Sequence, residues 1–364
     1  MSAIETKKRV RIGRMLPTVT SSVPYRAPWR IITTSTTCND GAVSGAHPPV
    51  VVIVPARNAS RTILDTLDGI RAQDYRGPIG IVVADGASTD DTIETIVRHH
   101  PDVRVVTNPS GTTPDGLNLA IAATSEPIIV RCDAHAILPP DYVRTAVETL
   151  AATNAANVGG IQDPVGRGWW QRAVAVAQST PLGVGDARYR LGGEAGAVDT
   201  VYLGVFRRDA LEAVGGFDSR FLRNQDYELN WRLREAGHTV WFEPSLRVAY
   251  TPRSSLKTLA RQYFDYGRWK RYMLSVHPSS VKARQLAAPV LVVALLASVP
   301  VAALVPKLGA IVPATYATAL AGTGLVETLR RKDAAAAIAP AAIAAMHLSW
   351  GFGFLVGQRP PTAS

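Results

Sequence analysis

The chain has 364 residues, 47% of them hydrophobic and 19% charged, enough for one large or two ordinary domains with a true core, which excludes wholesale disorder. Its two cysteines, Cys38 and Cys132, lack any C-x-x-C spacing and exclude both a disulfide-stapled fold and a zinc ribbon. A net charge of +10 with a mean hydropathy of +0.07 admits nucleic acid, an anionic membrane surface or phosphorylated substrates as partners, and placement along the chain has to decide among them.

Residues 1–49 are rich in Ser, Thr, Pro and basic side chains, with Lys7, Lys8, Arg9, Arg11 and Arg14 clustered and no apolar run of signal-peptide length. They read as a disordered, cytosolic basic leader. From Val50 short β-branched runs alternate with helix-like stretches. Strands are expected over Val50–Val54, Ile79–Ala84, Val103–Thr107 and Ile128–Arg131, with helices over Ile63–Arg71, Asp90–Arg98 and Gly116–Ala123 between them. This alternation predicts an α/β, Rossmann-like domain with a mostly parallel sheet, whose ligands bind beyond the carboxyl ends of the strands.

The residues just past each run are therefore the ones to weigh. After the first strand comes Pro55-Ala56-Arg57-Asn58, and after the second Asp85-Gly86-Ala87-Ser88-Thr89-Asp90. A carboxylate followed by Gly and a helix start can hold a nucleoside, although an Asp-Gly turn with a capped helix has the same appearance. The fourth strand ends in Arg131-Cys132-Asp133-Ala134-His135. Ligands at i and i+2 on an extended strand end share one side, which suits a divalent ion bridging two phosphates, Mg²⁺ by its preference for oxygen or Mn²⁺ by its tolerance of imidazole. The plainer alternative is a turn cap at Asp133 and a simple hydrogen bond at His135. Further on, Asp226 sits in the first turn of a helix opened by Arg223-Asn224-Gln225, where backbone NH groups keep a carboxylate ionised and able to deprotonate a hydroxyl. Helix-start acidity balanced by Arg232 and Arg234 is the competing reading.

The C-terminal part differs in texture. Uncharged runs of 22, 19 and 25 residues separate Arg284, Lys307, Glu327, Asp333 and Arg359. Each can cross a hydrocarbon core about 30 Å thick at about 1.5 Å per residue, so spans are expected over 286–305, 308–326 and 334–356. The Ala-rich third run with Pro340 also suits a helix buried in protein. Lys257, Arg261, Arg268, Lys270, Arg271, Lys282 and Arg284 precede the first span, and Arg330, Arg331 and Lys332 separate the second from the third. By the positive-inside rule everything before Arg284 is cytosolic and a short tail from Gln358 is external. The organisation expected is a leader (1–49), a catalytic domain with a juxtamembrane helix (50–284) and a membrane domain (285–358). Nucleic-acid binding is disfavoured because the positive charge gathers beside the spans and in the leader.

Taken in order, Val83-Ala84-Asp85-Gly86, Asp133-x-His135, Val198-Asp199-Thr200-Val201 and Asn224-Gln225-Asp226-Tyr227-Glu228-Leu229 make the chain resemble the family 2 glycosyltransferases of GT-A fold over roughly Val50 to Trp269. Among these it is similar to the succinoglycan-type bacterial membrane-associated glucosyltransferases. The resemblance implies that Pro55, Arg57 and Asp85 line a nucleoside pocket, that Asp133 is the metal-proximal carboxylate of a D-x-D motif, and that Asp226 is the catalytic base. His135 stands where that motif has its second acid, and Gln225 where the family commonly has Glu. Gln262, Arg268 and Trp269 are similar to the family's Q-x-x-R-W region, which closes over donor pyrophosphate and acceptor, at a different spacing. The implied activity is inverting transfer of a hexose from a nucleotide sugar, UDP-linked, to a lipid-linked saccharide or glycan acceptor at a membrane, with Mg²⁺ or Mn²⁺. Two other readings stand beside it: a polyprenyl-phosphate glycosyl transferase of the dolichyl-phosphate-mannose-synthase type, and a non-catalytic membrane scaffold with a degenerate nucleotide-binding domain.

Overall fold

The structure, a computed structural model, describes residues 47–358. The basic leader expected over residues 1–49 lies almost wholly outside the described residues, as does the tail expected beyond Gln358. The strands β1 (Val50–Ala56), β2 (Ile79–Asp85), β3 (Arg104–Thr107) and β4 (Ile128–Arg131) alternate with helices α1 (Ile63–Arg71), α2 (Thr92–His99) and α3 (Thr113–Ala122). Two helix starts differ from expectation for local reasons. Pro114 opens α3 a turn early, its fixed φ suiting the first helical turn. Asp90 stays outside α2 because its carboxylate accepts from the Thr92 backbone NH at 3.2 Å.

The chain continues through α4 (Tyr142–Thr153), β5 (Asn157–Pro164), α5 (Gly168–Ala177), the short α6 (Pro181–Val184) and α7 (Arg188–Leu191), β6 (Gly196–Ala197), β7 (Tyr202–Arg207), α8 (Arg208–Ala213), α9 (Gln225–Glu235) and β8 (Val240–Tyr250). All strands join one sheet in the order β3-β2-β1-β4-β7-β5-β8-β6. Pairing is parallel except where β7 runs against β4 and β5 and β6 runs against β8. Val50, Val52 and Val54 face one core with Ile63, Leu67 and Tyr142, while Val51 and Ile53 face another with Leu117, Leu229 and Leu233. The unbroken apolar run of β1 is what a strand covered on both faces requires. Because β1, β2 and β4 are parallel, their carboxyl ends open on the same edge of the sheet.

A long helix α10 (Leu256–Val276) then leads to α11 (Ala283–Leu304), α12 (Pro306–Gly309), α13 (Ile311–Arg331) and α14 (Ala339–Val356). Three segments are long and apolar enough to cross a membrane: Ala283–Leu304, Pro306–Arg331 and Ala334–Val356. The second outruns its expected end because Glu327 pairs within the helix with Arg330 and Arg331. The first two carry exposed apolar side chains such as Val290, Leu296, Val299 and Leu329, as lipid-facing helices do. The third is more enclosed. It packs along α10, where Ala342, Ile343 and Met346 share a cluster with Leu259 and Tyr263, and where a Cβ on Gly267 or Gly353 would collide with the facing backbone of Trp350 or Phe264. The sheet and the third apolar helix are thus joined through α10.

Candidate active site

The first three parallel strands end in loops that are latched together. Ala56 lies opposite Asp85 in the β1–β2 register, and the Gly86 NH donates to the Ala56 carbonyl at 2.7 Å. Asn58, in the left-handed region at φ 51°, donates its NH to Ser88 Oγ at 2.9 Å and accepts from the Thr89 NH at 2.8 Å. Asp85, 3% exposed, accepts from the Ser88 NH at 3.1 Å with Oδ2, while its Oδ1 is buried without a hydrogen-bond partner among the described residues. A buried orphan acceptor costs free energy until a donor arrives, and a base NH or ribose hydroxyl is such a donor. Pro55 flanks it on β1, half-buried opposite Ala84. The exposed Arg57 lays its guanidinium against Gly111, where a Cβ would stand 2.7 Å from Nη1. Pro55, Arg57 and Asp85 therefore lie together at the carboxyl ends of β1 and β2.

The second cluster forms around a residue to which sequence reasoning gave no role. Arg131, the last residue of β4 and 5% exposed, donates through Nε at 3.1 Å and Nη2 at 2.9 Å to Asp133 Oδ1. Its Nη1 donates to Asp226 Oδ1. One guanidinium thus holds Asp133 and the expected base Asp226 together, although they are far apart in sequence. Asp226 is the second residue of α9, and Asn224 turns the chain into that helix at φ 61°. The cation that balances Asp226 is therefore Arg131 and not Arg232, which pairs instead with the fully buried Glu228 at 2.6 Å. The signal available in advance was a charged residue ending an otherwise apolar buried strand directly before Asp-x-His.

His135 is exposed in the turn after β4, and no group of three His, Cys, Asp or Glu side chains that could hold a metal occurs among the described residues. The Ala136 NH closes a turn on the Asp133 carbonyl at 2.8 Å, so Asp133 and His135 do not sit on the extended strand end expected to bring them to one side, and the pair offers two ligands at most. That set fits a divalent ion completed by phosphate oxygens of a bound nucleotide better than a resident metal. Cys132 is buried and its thiol is pushed well above the usual range by burial, so it packs and does not attack.

The three residues taken from the Q-x-x-R-W region are dispersed. Gln262 Nε2 donates to Tyr250 Oη at 3.2 Å and Tyr266 Oη at 3.0 Å. Arg268 Nε donates to the Gly357 carbonyl at 3.0 Å, holding the end of α14. Trp269 packs with Phe221, Tyr272 and Met273. All three lie on α10, and six residues at about 100° each turn Arg268 about 120° away from Gln262, so the two leave the helix on different faces.

The family described as glycosyltransferase like family 2 matches residues 47–270. The chain belongs to glycosyltransferase family 2. It is 32% identical over 313 residues, 84% of this chain and 93% of the relative, to succinoglycan biosynthesis protein ExoA of Rhizobium meliloti (strain 1021). It is 27% identical over 237 residues, 62% of this chain and 74% of the relative, to the dolichyl N-acetyl-alpha-D-glucosaminyl phosphate 3-beta-D-2,3-diacetamido-2,3-dideoxy-beta-D-glucuronosyltransferase of Methanococcus voltae. Among solved structures, the mannosyltransferase PcManGT from Pyrobaculum calidifontis in complex with GDP-Man and Mn²⁺ matches at a TM-score of 0.55 and 23% identity, covering 82% of this chain and 86% of that one. That likeness is one of fold. This family 2 glycosyltransferase has the GT-A-like architecture, followed by three apolar helices able to span a membrane.

Proposed function

We propose that this glycosyltransferase moves a hexose from a UDP-linked donor to a hydroxyl of a lipid-linked saccharide or glycan, in the synthesis of cell-surface polysaccharide or glycolipid. The observation that carries the reading is the Arg131 bridge, which sets Asp226 beside Asp133 at the mouth of the parallel strands. Asp85 and Arg57 take the nucleoside end, and the sugar's anomeric carbon then falls near Asp133. Asp226 accepts the proton of the acceptor hydroxyl as its oxygen attacks that carbon from the face opposite the leaving diphosphate; the bond to the diphosphate breaks in the same step, with inversion. Arg131 orients Asp226 through its Nη1. Mg²⁺ or Mn²⁺ held by Asp133 and His135 would offset charge on the leaving diphosphate. A hydroxyl acceptor is favoured over a polyprenyl phosphate because a phosphate nucleophile is already anionic and leaves a base at Asp226 without a task.

The basic residues before the first apolar helix, and Arg330, Arg331 and Lys332 between the second and third, support a multi-pass protein in the cell membrane with its catalytic domain in the cytosol. Asp226→Asn tests the mechanism: UDP affinity is retained and transfer falls by about 10²–10⁴-fold, the usual contribution of a positioned base. Turnover near wild type in that variant refutes it.

A further inference from the structure

We infer that Arg190 and the tyrosines around it form a second, anionic subsite that holds the phosphate of a lipid-linked acceptor; this rests on the transferase reading above. Arg190 lies in α7 and is only 9% exposed. Among the described residues no carboxylate pairs with it, and its Nη1 is buried without a hydrogen-bond partner. The buried Arg131, by contrast, has two carboxylates. The Tyr189 and Tyr250 rings lie 5.5 and 5.6 Å from the Arg190 guanidinium carbon, and Tyr263 and Tyr266 are close enough to act on its charge. Ring faces compensate a buried cation only in part, and a guanidinium withdrawn from water without an anion is disfavoured unless one is supplied. The planar fork of donors suits phosphate oxygens in particular. Gln262, which bonds two of the same tyrosines through Nε2, likewise has a buried Oε1 with no partner among the described residues.

Position in the sheet separates this subsite from the nucleoside cleft. Along the order β2-β1-β4-β7-β5-β8, Asp85 ends β2 and Asp133 follows β4, whereas Gln162 is on β5 and Tyr250 ends β8. Tyr202 on β7 spans the gap: burial pushes its hydroxyl pKa up, and both the Asp133 carboxylate and the Arg190 guanidinium act on it. The far side of the subsite belongs to the third apolar helix, since Tyr263 packs with Ala342, Ile343 and Met346. A phosphate here has the reaction centre on one side and apolar helix on the other, the arrangement an acceptor with a sugar head and a lipid tail requires.

The test titrates the full chain in lipid nanodiscs with farnesyl diphosphate, farnesol, inorganic pyrophosphate and UDP plus Mn²⁺, for wild type and Arg190→Met. Wild type binds farnesyl diphosphate and not farnesol. Arg190→Met weakens that binding by roughly 10–100-fold, leaves UDP affinity unchanged, and leaves the melting temperature of the unliganded protein equal or higher, because an unpaired buried cation has been removed. Undiminished farnesyl diphosphate binding in the variant overturns the proposal. Loss of UDP affinity, or pyrophosphate competing with UDP at Arg190, overturns it by assigning the anion to the donor. A lower melting temperature or failure to fold overturns it by making Arg190 a structural residue. Wild type that binds farnesyl diphosphate but not UDP refutes the transferase reading and leaves the subsite standing.

Discussion

Arg131→Met is the substitution whose cost the geometry defines best. The side chain is 6% exposed and serves two carboxylates that are themselves 21% exposed at Asp133 and 43% exposed at Asp226. Methionine keeps much of the length and removes both contacts, leaving two anions facing each other with no cation between them. Stripping one partner from a fully buried pair costs about 3–5 kcal/mol, and an exposed pair contributes about 1 kcal/mol at most. With half-exposed partners the loss falls between these limits, about 2–3 kcal/mol. Its division follows exposure: a double-mutant cycle with Asp133→Asn, which takes two donated bonds, gives a coupling of about 1–2 kcal/mol. The cycle with Asp226→Asn, screened by solvent, gives about 0.5–1 kcal/mol. Unfolding of the full chain in micelles, followed by tryptophan fluorescence, measures all of these. Additivity within about 0.5 kcal/mol in both cycles, or a neutral Arg131→Met, would show that the guanidinium does not hold the site together.

Two further outcomes follow from α10. Lys270, 3% exposed, donates to the Ser280 carbonyl at 3.0 Å and lies 4.3 Å from the Tyr227 ring. Burial lowers its ammonium pKa to about 7, against about 10.4 in an unfolded chain. Between those values the unfolded state binds more protons, so stability rises as pH goes from about 7 to 10, and Lys270→Met abolishes the rise; parallel melting-temperature profiles for the two proteins across that range would contradict it. Gly353→Val drives a branched side chain into the Phe264 backbone, separating α14 from α10 at a cost of at least about 1–3 kcal/mol. A melting temperature unchanged by Gly353→Val would mean that the two helices are not in contact.

The parts of this protein that could be read in advance are those in which neighbours in sequence are neighbours in space. Each parallel strand delivers its next few residues to the same edge, so Arg57, Asp85 and Asp133 could be placed from the β-α alternation alone, and uncharged length sufficed for the three apolar helices. The Arg131–Asp226 bond was hidden because it depends on β7 entering antiparallel beside β4 and on a left-handed Asn224 aiming α9 back at the strand end. Neither leaves a periodic trace. Gln262 and Arg268 part for the opposite reason: they share a stretch of sequence, but helical rotation sends one toward Tyr250 and the other toward Gly357. Arg190 lies in a glycine-punctuated stretch with no regular pattern, and its environment is assembled from α7, β8 and α10. The sheet order gives these separate pieces one direction, from Asp85 at the end of β2 through the paired carboxylates past β4 to the tyrosines of β8 and α10 beside the third apolar helix. A transfer reaction needs that polarity, because donor and acceptor have to reach one carbon from opposite sides.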